Sequence, residues 1–165
     1  PDHLSLGFMV DHIGYGKVLG MFLKGRGSYR FDEASAALSE LRVEVDTDSV
    51  FSNHRQRDSH VKGADFLNVK EFPRMVFTGG SAKRTGERTF EIPGQMEMLG
   101  KSLPLTLMAT WNKSAESPLP GKPYTMGVSA KGSIKRSAYG MTYAVANGWV
   151  GDDVQLIIEF EAKRK

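Results

Sequence analysis

Apolar and polar residues alternate with a period of two along most of this chain, the pattern of strands with one dry and one wet face. Leu4, Leu6, Phe8, Val10 and His12 share the dry face of a first strand. Residues 18–31 read as a long strand or hairpin containing Gly20, Gly25 and Gly27. The Ala/Ser-rich residues 33–39 predict a turn of helix. Leu41, Val43, Val45 and Thr47 then alternate with Arg42, Glu44, Asp46 and Asp48. Residues 54–63 follow the polar pair Ser52-Asn53 and carry neither a strand pattern nor an early breaker, which predicts a short helix. Strands resume over residues 74–79 and along Phe90, Ile92, Gly94, Met96 and Met98. Gly100-Lys101 signals a turn into Leu103, Leu105, Leu107, Ala109 and Trp111. Residues 114–123 hold three prolines and read as a loop. Met126, Val128, Ala130, Gly132 and Ile134 form the next set. Val154, Leu156, Ile158, Phe160 and Ala162 form the last, opposite Gln155, Glu159 and Glu161. The aromatic, glycine-rich residues 137–151 yield no assignable element.

About eight strands result, several of them longer than the usual five or six residues. None alternates with a long amphipathic helix, so parallel βαβ units are not expected. Long antiparallel strands cover their dry faces as a sandwich or a barrel. One-sided polarity persists through nearly every strand, which favours an all-β, eight-stranded antiparallel barrel with one short helix near residues 54–63. A barrel of that size is either packed solid or holds one small ligand. The chain has eight Met and nine Phe, and many of both fall on inward faces, interspersed with Gly94, Ala109, Ala130 and Gly132. Met adapts to irregular space, and small inward residues leave room. The pattern alone leaves filled and hollow interiors equally open. In a hollow one, an apolar chain would gain about 0.8 kcal/mol per buried methylene.

The length of 165 residues suits a single domain, residues 1–165, able to bury a core without disulfides. The formal net charge is +3, matched by Lys163, Arg164 and Lys165 alone. The body is near neutral, with no basic stripe for nucleic acid. The absence of cysteine excludes disulfides, Cys-ligated zinc and a thiol nucleophile. No run approaches the 18 or so apolar residues of a membrane-spanning helix. The start at Pro1 without Met is expected of a processed chain, or of a domain excised from a longer secreted protein.

The densest polar cluster is His54-Arg-Gln-Arg57-Asp58-Ser-His60. On a helix His54 and Asp58 share a face, but His60 points roughly the opposite way, and no zinc spacing is matched. A structural role for Asp58, pairing an Arg or capping a backbone group, is the expectation. Metal-assisted hydrolysis by His54, Asp58 and His60 is the alternative. Asp46 and Asp48 share a wet face leading into a turn. His12, on a dry face, is expected to bond a backbone carbonyl or, as the alternative, a ligand head group. There is no Gly-x-Ser-x-Gly, P-loop or dinucleotide fingerprint.

Taken in order, Phe8-Met-Val10-Asp-His12, Gly20-Met-Phe22, Asp48-Ser-Val50, Arg57-Asp58-Ser-His60, Ala64-Asp65-Phe66 and Phe72-Pro73 resemble the YceI-like polyisoprenoid-binding family. Residues 94–100 with Pro104, Arg136-Ser-Ala-Tyr139-Gly140-Met141 and the closing strand continue the resemblance over almost the whole chain. It departs at Val61, Leu67 and Met96-Glu97, changes that bear on cavity shape rather than on the fold.

The resemblance implies an extended lipocalin-like barrel and non-catalytic binding or transport of a long isoprenoid, ubiquinone or a polyprenyl phosphate. It also implies a periplasmic or secreted location. No cofactor is required beyond a bound lipid of that kind. The expected tail contacts are Phe8, Val10, Phe22, Val43, Val45, Phe77, Phe90, Met96, Met98, Leu105, Leu107, Trp111, Met126, Val128, Ile158 and Phe160. A polar opening is expected at His12, Arg57, Asp58 and His60. A sugar- or protein-binding module using Tyr139, Tyr143 and Trp149 is a further alternative. Neighbouring domains and a homodimer are left open.

Overall fold

The alternating segments pair antiparallel and bend around their common dry face. A computed structural model describes residues 3–164. Its elements are β1 (Leu4–His12), β2 (Gly16–Phe22), β3 (Gly25–Asp32), β4 (Ala37–Asp46), β5 (Val50–Phe51), α1 (Arg55–Val61), β6 (Arg74–Gly79), β7 (Lys83–Arg84), β8 (Thr89–Met98), β9 (Lys101–Glu116), β10 (Tyr124–Lys135) and β11 (Val150–Lys163). Hydrogen bonding joins them in the order β3-β4-β6-β8-β9-β10-β11-β1-β2-β5, with β7 appended to β8.

β2 and β3 are two halves of one bent strand. Only Leu23 and Lys24 separate them, and the antiparallel registers make both run the same way. The first half pairs with β1, Leu6 opposite Phe22. The second pairs with β4, Gly25 opposite Val45. The residues between are held by Leu23 N–H donating to Ser49 O at 3.0 Å and Asp46 N–H donating to Lys24 O at 3.0 Å. The chain thus passes from one edge of the curled sheet to the other. With β2 and β3 counted as one, and the two-residue β5 and β7 set aside, the wall consists of the expected eight long strands. Past the bend β3 has a ladder only with β4, and β1 only with β2 and β11. The split between β3 and β1 is bridged by side chains.

Two glycines let rings cross the wall closely. Gly20 lies opposite Phe8, where a Cβ would collide with the Phe8 ring, and Gly94 lies under Phe77 in the same way. The lost β-carbon makes room for an aromatic ring that covers the bare backbone.

Local expectations fail in three places. Residues 33–39 form no turn of helix. The Asp32 carboxylate accepts from Ala34 N–H and Ser35 N–H, both at 2.9 Å, and closes a tight turn into β4. The proline-rich loop starts later than residue 114, because β9 continues to Glu116. His12 is not on a dry face. It is the last residue of β1, opposite Gly16 of β2 and past a jump in the β1–β11 register from Val10–Val154 to His12–Val150, and it is exposed there.

One end of the barrel is solid. Val50, Leu67, Met75, Met98, Ile134, Tyr139 and Met141 belong to a buried cluster backed by Val61 and Phe66 beside α1. This is the helix end. The unassigned stretch contributes here: residues 136–139 form a 3₁₀ turn closed by Gly140 at φ 101°, and Arg136 is 2% exposed. Arg136 donates to Gly151 O at 2.7 Å, Met141 O at 2.9 Å and Val150 O at 2.8 Å. The planar fork ties one carbonyl of the irregular stretch, Met141 O, to two at the start of β11. Arg136→Met is therefore expected to cost about 3 kcal/mol or more in urea denaturation, since buried carbonyls left unpaired are expensive. Arg136→Lys should recover less than half of that loss, because an ammonium cannot span all three acceptors.

Candidate functional site

Away from the helix end, the inward side chains do not fill the interior. They surround a cavity of about 240 Å³, room for on the order of twenty water-sized groups. Close-packed interiors contain few voids larger than a single water. The alternation left open whether the barrel was filled or hollow. The structure is filled at one end and hollow along the middle.

Fourteen of the expected tail contacts line this space: Phe8, Phe22, Val43, Val45, Phe77, Phe90, Met96, Leu105, Leu107, Trp111, Met126, Val128, Ile158 and Phe160. Val10 and Met98 do not. Met98 is 3% exposed inside the solid cluster, and Val10 lies toward the same end, opposite Val18 and Val154. Sequence reasoning missed Leu4, Leu6, Tyr29, Phe31, Leu38, Leu41, Met75 and Ile92, which also line the cavity. Most were readable from the same alternation. Tyr29 and Phe31 were obscured because the glycines before them looked like a hairpin.

Aromatic rings cluster at the far end. Phe31 meets Phe90 edge-on at 6.1 Å and Trp111 at 5.6 Å, the preferred geometry for aromatic pairs. Trp111 Nε1–H donates to Ser114 Oγ at 2.8 Å. Nearby, the Tyr29 ring meets Phe160 edge-on at 6.1 Å, and its hydroxyl donates to Met126 Sδ at 3.3 Å. Burial, then the charge of Glu33, pushes the Tyr29 phenol up to about 12, so it stays a protonated donor at neutral pH. Glu33 itself accepts from Tyr124 Oη–H at 3.0 Å.

The expected polar opening is not at the cavity. None of His12, Arg57, Asp58 and His60 lines it. His12 is exposed at the end of β1, and the other three belong to α1, beyond the solid cluster. There they organise the helix. His54 is its N-cap, with Nδ1 accepting from Arg57 N–H at 3.2 Å. Asp58 accepts from Ser52 N–H at 2.8 Å and Ser52 Oγ–H at 2.5 Å. Arg57 donates to Ser52 Oγ at 2.7 Å and Ser52 O at 2.5 Å. His60 Nε2 pairs with Asp65 at 2.8 Å, its ring set between Phe66 and Tyr143. His54, Asp58 and His60 thus face three different partners, and among the described residues no group of three or more His, Asp or Glu could hold a metal. Asp46 caps the turn after β4 by accepting from Asp48 N–H, and Asp48 pairs with Lys62 at 3.1 Å. Of the aromatics suggested for a sugar or protein surface, Tyr143 and Trp149 are exposed, but Tyr139 is 3% exposed and belongs to the solid cluster.

A curled antiparallel sheet around a dry, elongated space is a barrel of the ligand-holding class. The chain belongs to the YceI-like family, whose domain profile matches residues 1–162. It is 34% identical over 160 residues to protein YceI of Salmonella arizonae, covering 97% of this chain and 81% of that one. The fold matches the crystal structure of a Campylobacter jejuni YceI protein with a TM-score of 0.84 at 28% identity, over 94% of this chain and 90% of that one. A polyisoprenoid-binding domain from Saccharophagus degradans shares the fold at a TM-score of 0.67 and 11% identity, over 98% and 94% of the two chains.

Because the α1 cluster is remote from the cavity, Asp58→Ala should lower stability by about 1–3 kcal/mol, the usual cost of stranding buried donors. Uptake of an apolar ligand should stay within about twofold of the unaltered chain. Chemical denaturation and a fluorescence titration read the two effects separately.

Proposed function

We propose that the protein binds and carries a long isoprenoid lipid without catalysing a reaction, the tail lying along the barrel interior. Ubiquinone and a polyprenyl phosphate are the two ligand forms considered. The observation that carries this reading is the cavity itself, walled by apolar side chains on nearly every strand. Burial of about ten methylene-sized groups would contribute on the order of 8 kcal/mol. That is the scale of micromolar binding before ordering costs are subtracted. The fold shared with the polyisoprenoid-binding domain of Saccharophagus degradans supports the same class of ligand.

The reading extends to where the protein works. A lipid this insoluble needs cover wherever it must cross water between membranes, and we place the protein in the periplasm or outside the cell. A redox role would follow if the cargo is a quinone, with the cargo supplying the electron chemistry.

Organic extraction of the purified protein followed by mass spectrometry is expected to release a prenyl lipid. Extracts without one, together with failure to reload the protein from lipid micelles, would overturn the proposal. Ala130 faces inward and is 5% exposed. Ala130→Trp should fill part of the cavity and cut lipid uptake by at least tenfold, with the β-sheet circular dichroism signal retained.

A further inference from the structure

Resting on the carrier reading, we propose that the cavity opens sideways through the split between β3 and the β1–β11 pair, and that this mouth accepts an uncharged, oxygen-bearing head group in preference to a phosphate.

Strand parity locates the mouth. Almost every cavity-lining residue on a strand points inward. The exceptions are Gly7 on β1, Ser28 on β3 and Glu161 on β11, which alternation places on the outer face. Ser28 and Glu161 flank the split, so the cavity reaches through the wall there, whereas Gly7 lies further along β1, paired with Ile157 and Met21. The same split lacks a backbone ladder. β3 approaches β1 through Gly25, where a Cβ would meet Leu6 Cδ1 at 2.5 Å. Contacts of this kind part without breaking hydrogen bonds.

The chemistry of the mouth selects the head group. Among the described residues lining the cavity, Glu161 is the single charged one. The arginines on the outer face of β3 are already engaged, Arg26 with Glu44 and Arg30 with Glu40. Arg164 lies over the Tyr124 ring. A phosphate entering here would meet a carboxylate and no lining cation, whereas phosphate sites are built from Arg, Lys or clustered N–H groups. Just inside stands Tyr29, whose hydroxyl spends its hydrogen on the thioether of Met126. Thioether sulfur is a weak acceptor. A quinone carbonyl or a prenol oxygen is a better one and would displace it.

Three probes decide the matter: a long-chain ubiquinone, a polyprenyl phosphate of equal tail length, and squalene, an isoprenoid with no head group. Each is offered in detergent micelles, and bound lipid is quantified after desalting. The unaltered chain is expected to bind the quinone at least tenfold more tightly than the phosphate. Tyr29→Phe should weaken the quinone about fivefold and leave squalene unchanged, which separates a lost head-group contact from a damaged barrel. Equal affinity for quinone and phosphate, or a Tyr29→Phe chain that binds quinone as before, overturns the inference while leaving the carrier reading intact. A chain that takes up none of the three overturns both.

Discussion

A sheet that hides one face by curling must bring its two edges together, and in this protein a single strand does so. The stretch from Gly16 to Asp32 pairs first with β1 and then with β4, so it closes the wall by changing neighbours. Each partner is served for only part of its length. Along the remainder, β3 and β1 face one another without a ladder, and glycine and leucine stand where hydrogen bonds would otherwise be. The barrel, its cavity and the place where the cavity reaches the surface all follow from that change of neighbour.

Along its axis the interior changes character. At the helix end, aliphatic and Met side chains pack near Arg136, whose guanidinium ties Met141 O of the irregular segment to Val150 O and Gly151 O at the start of β11. In the middle the walls stand apart. At the far end Phe31, Phe90 and Trp111 meet edge to face. Apart from Tyr29 and Glu161, the charged and titratable side chains do not line this apolar space, and several of them pair with one another or cap turns. The division suits a container. Its interior supplies surface and shape, and its polar groups maintain the shell.

Much of this was legible in the sequence because inward positions are fixed by a period of two. Phe77, Met96, Leu105 and Leu107 are inward in the pattern and inward in the structure. Whether such side chains touch is not a property of any one strand. It depends on barrel circumference, which only the assembled registers set, and so the pattern could not separate Met96 at the cavity from Met98 in the solid end. His12 was misread because alternation along β1 does not tell where the strand ends, and His12 is its exposed last residue. The polar opening was sought in α1, where polar residues are densest, yet that density serves a seven-residue helix that must cap and brace itself. Tyr29 lay hidden behind glycines in a stretch that read as a long strand or hairpin, and those glycines in fact begin the second half of the closing strand.

A hollow core also divides responsibility for folding. A solid domain carries all of its cohesion in its own side chains. Here the walls of a cavity of about 240 Å³ lack contacts that only a guest can supply, and whatever binds the native state alone adds to its stability by mass action. The empty and the loaded forms are therefore two proteins of different durability made from one sequence. Resistance to heat and proteases becomes a gauge of occupancy, so a chain left without a guest is the form most exposed to being cleared.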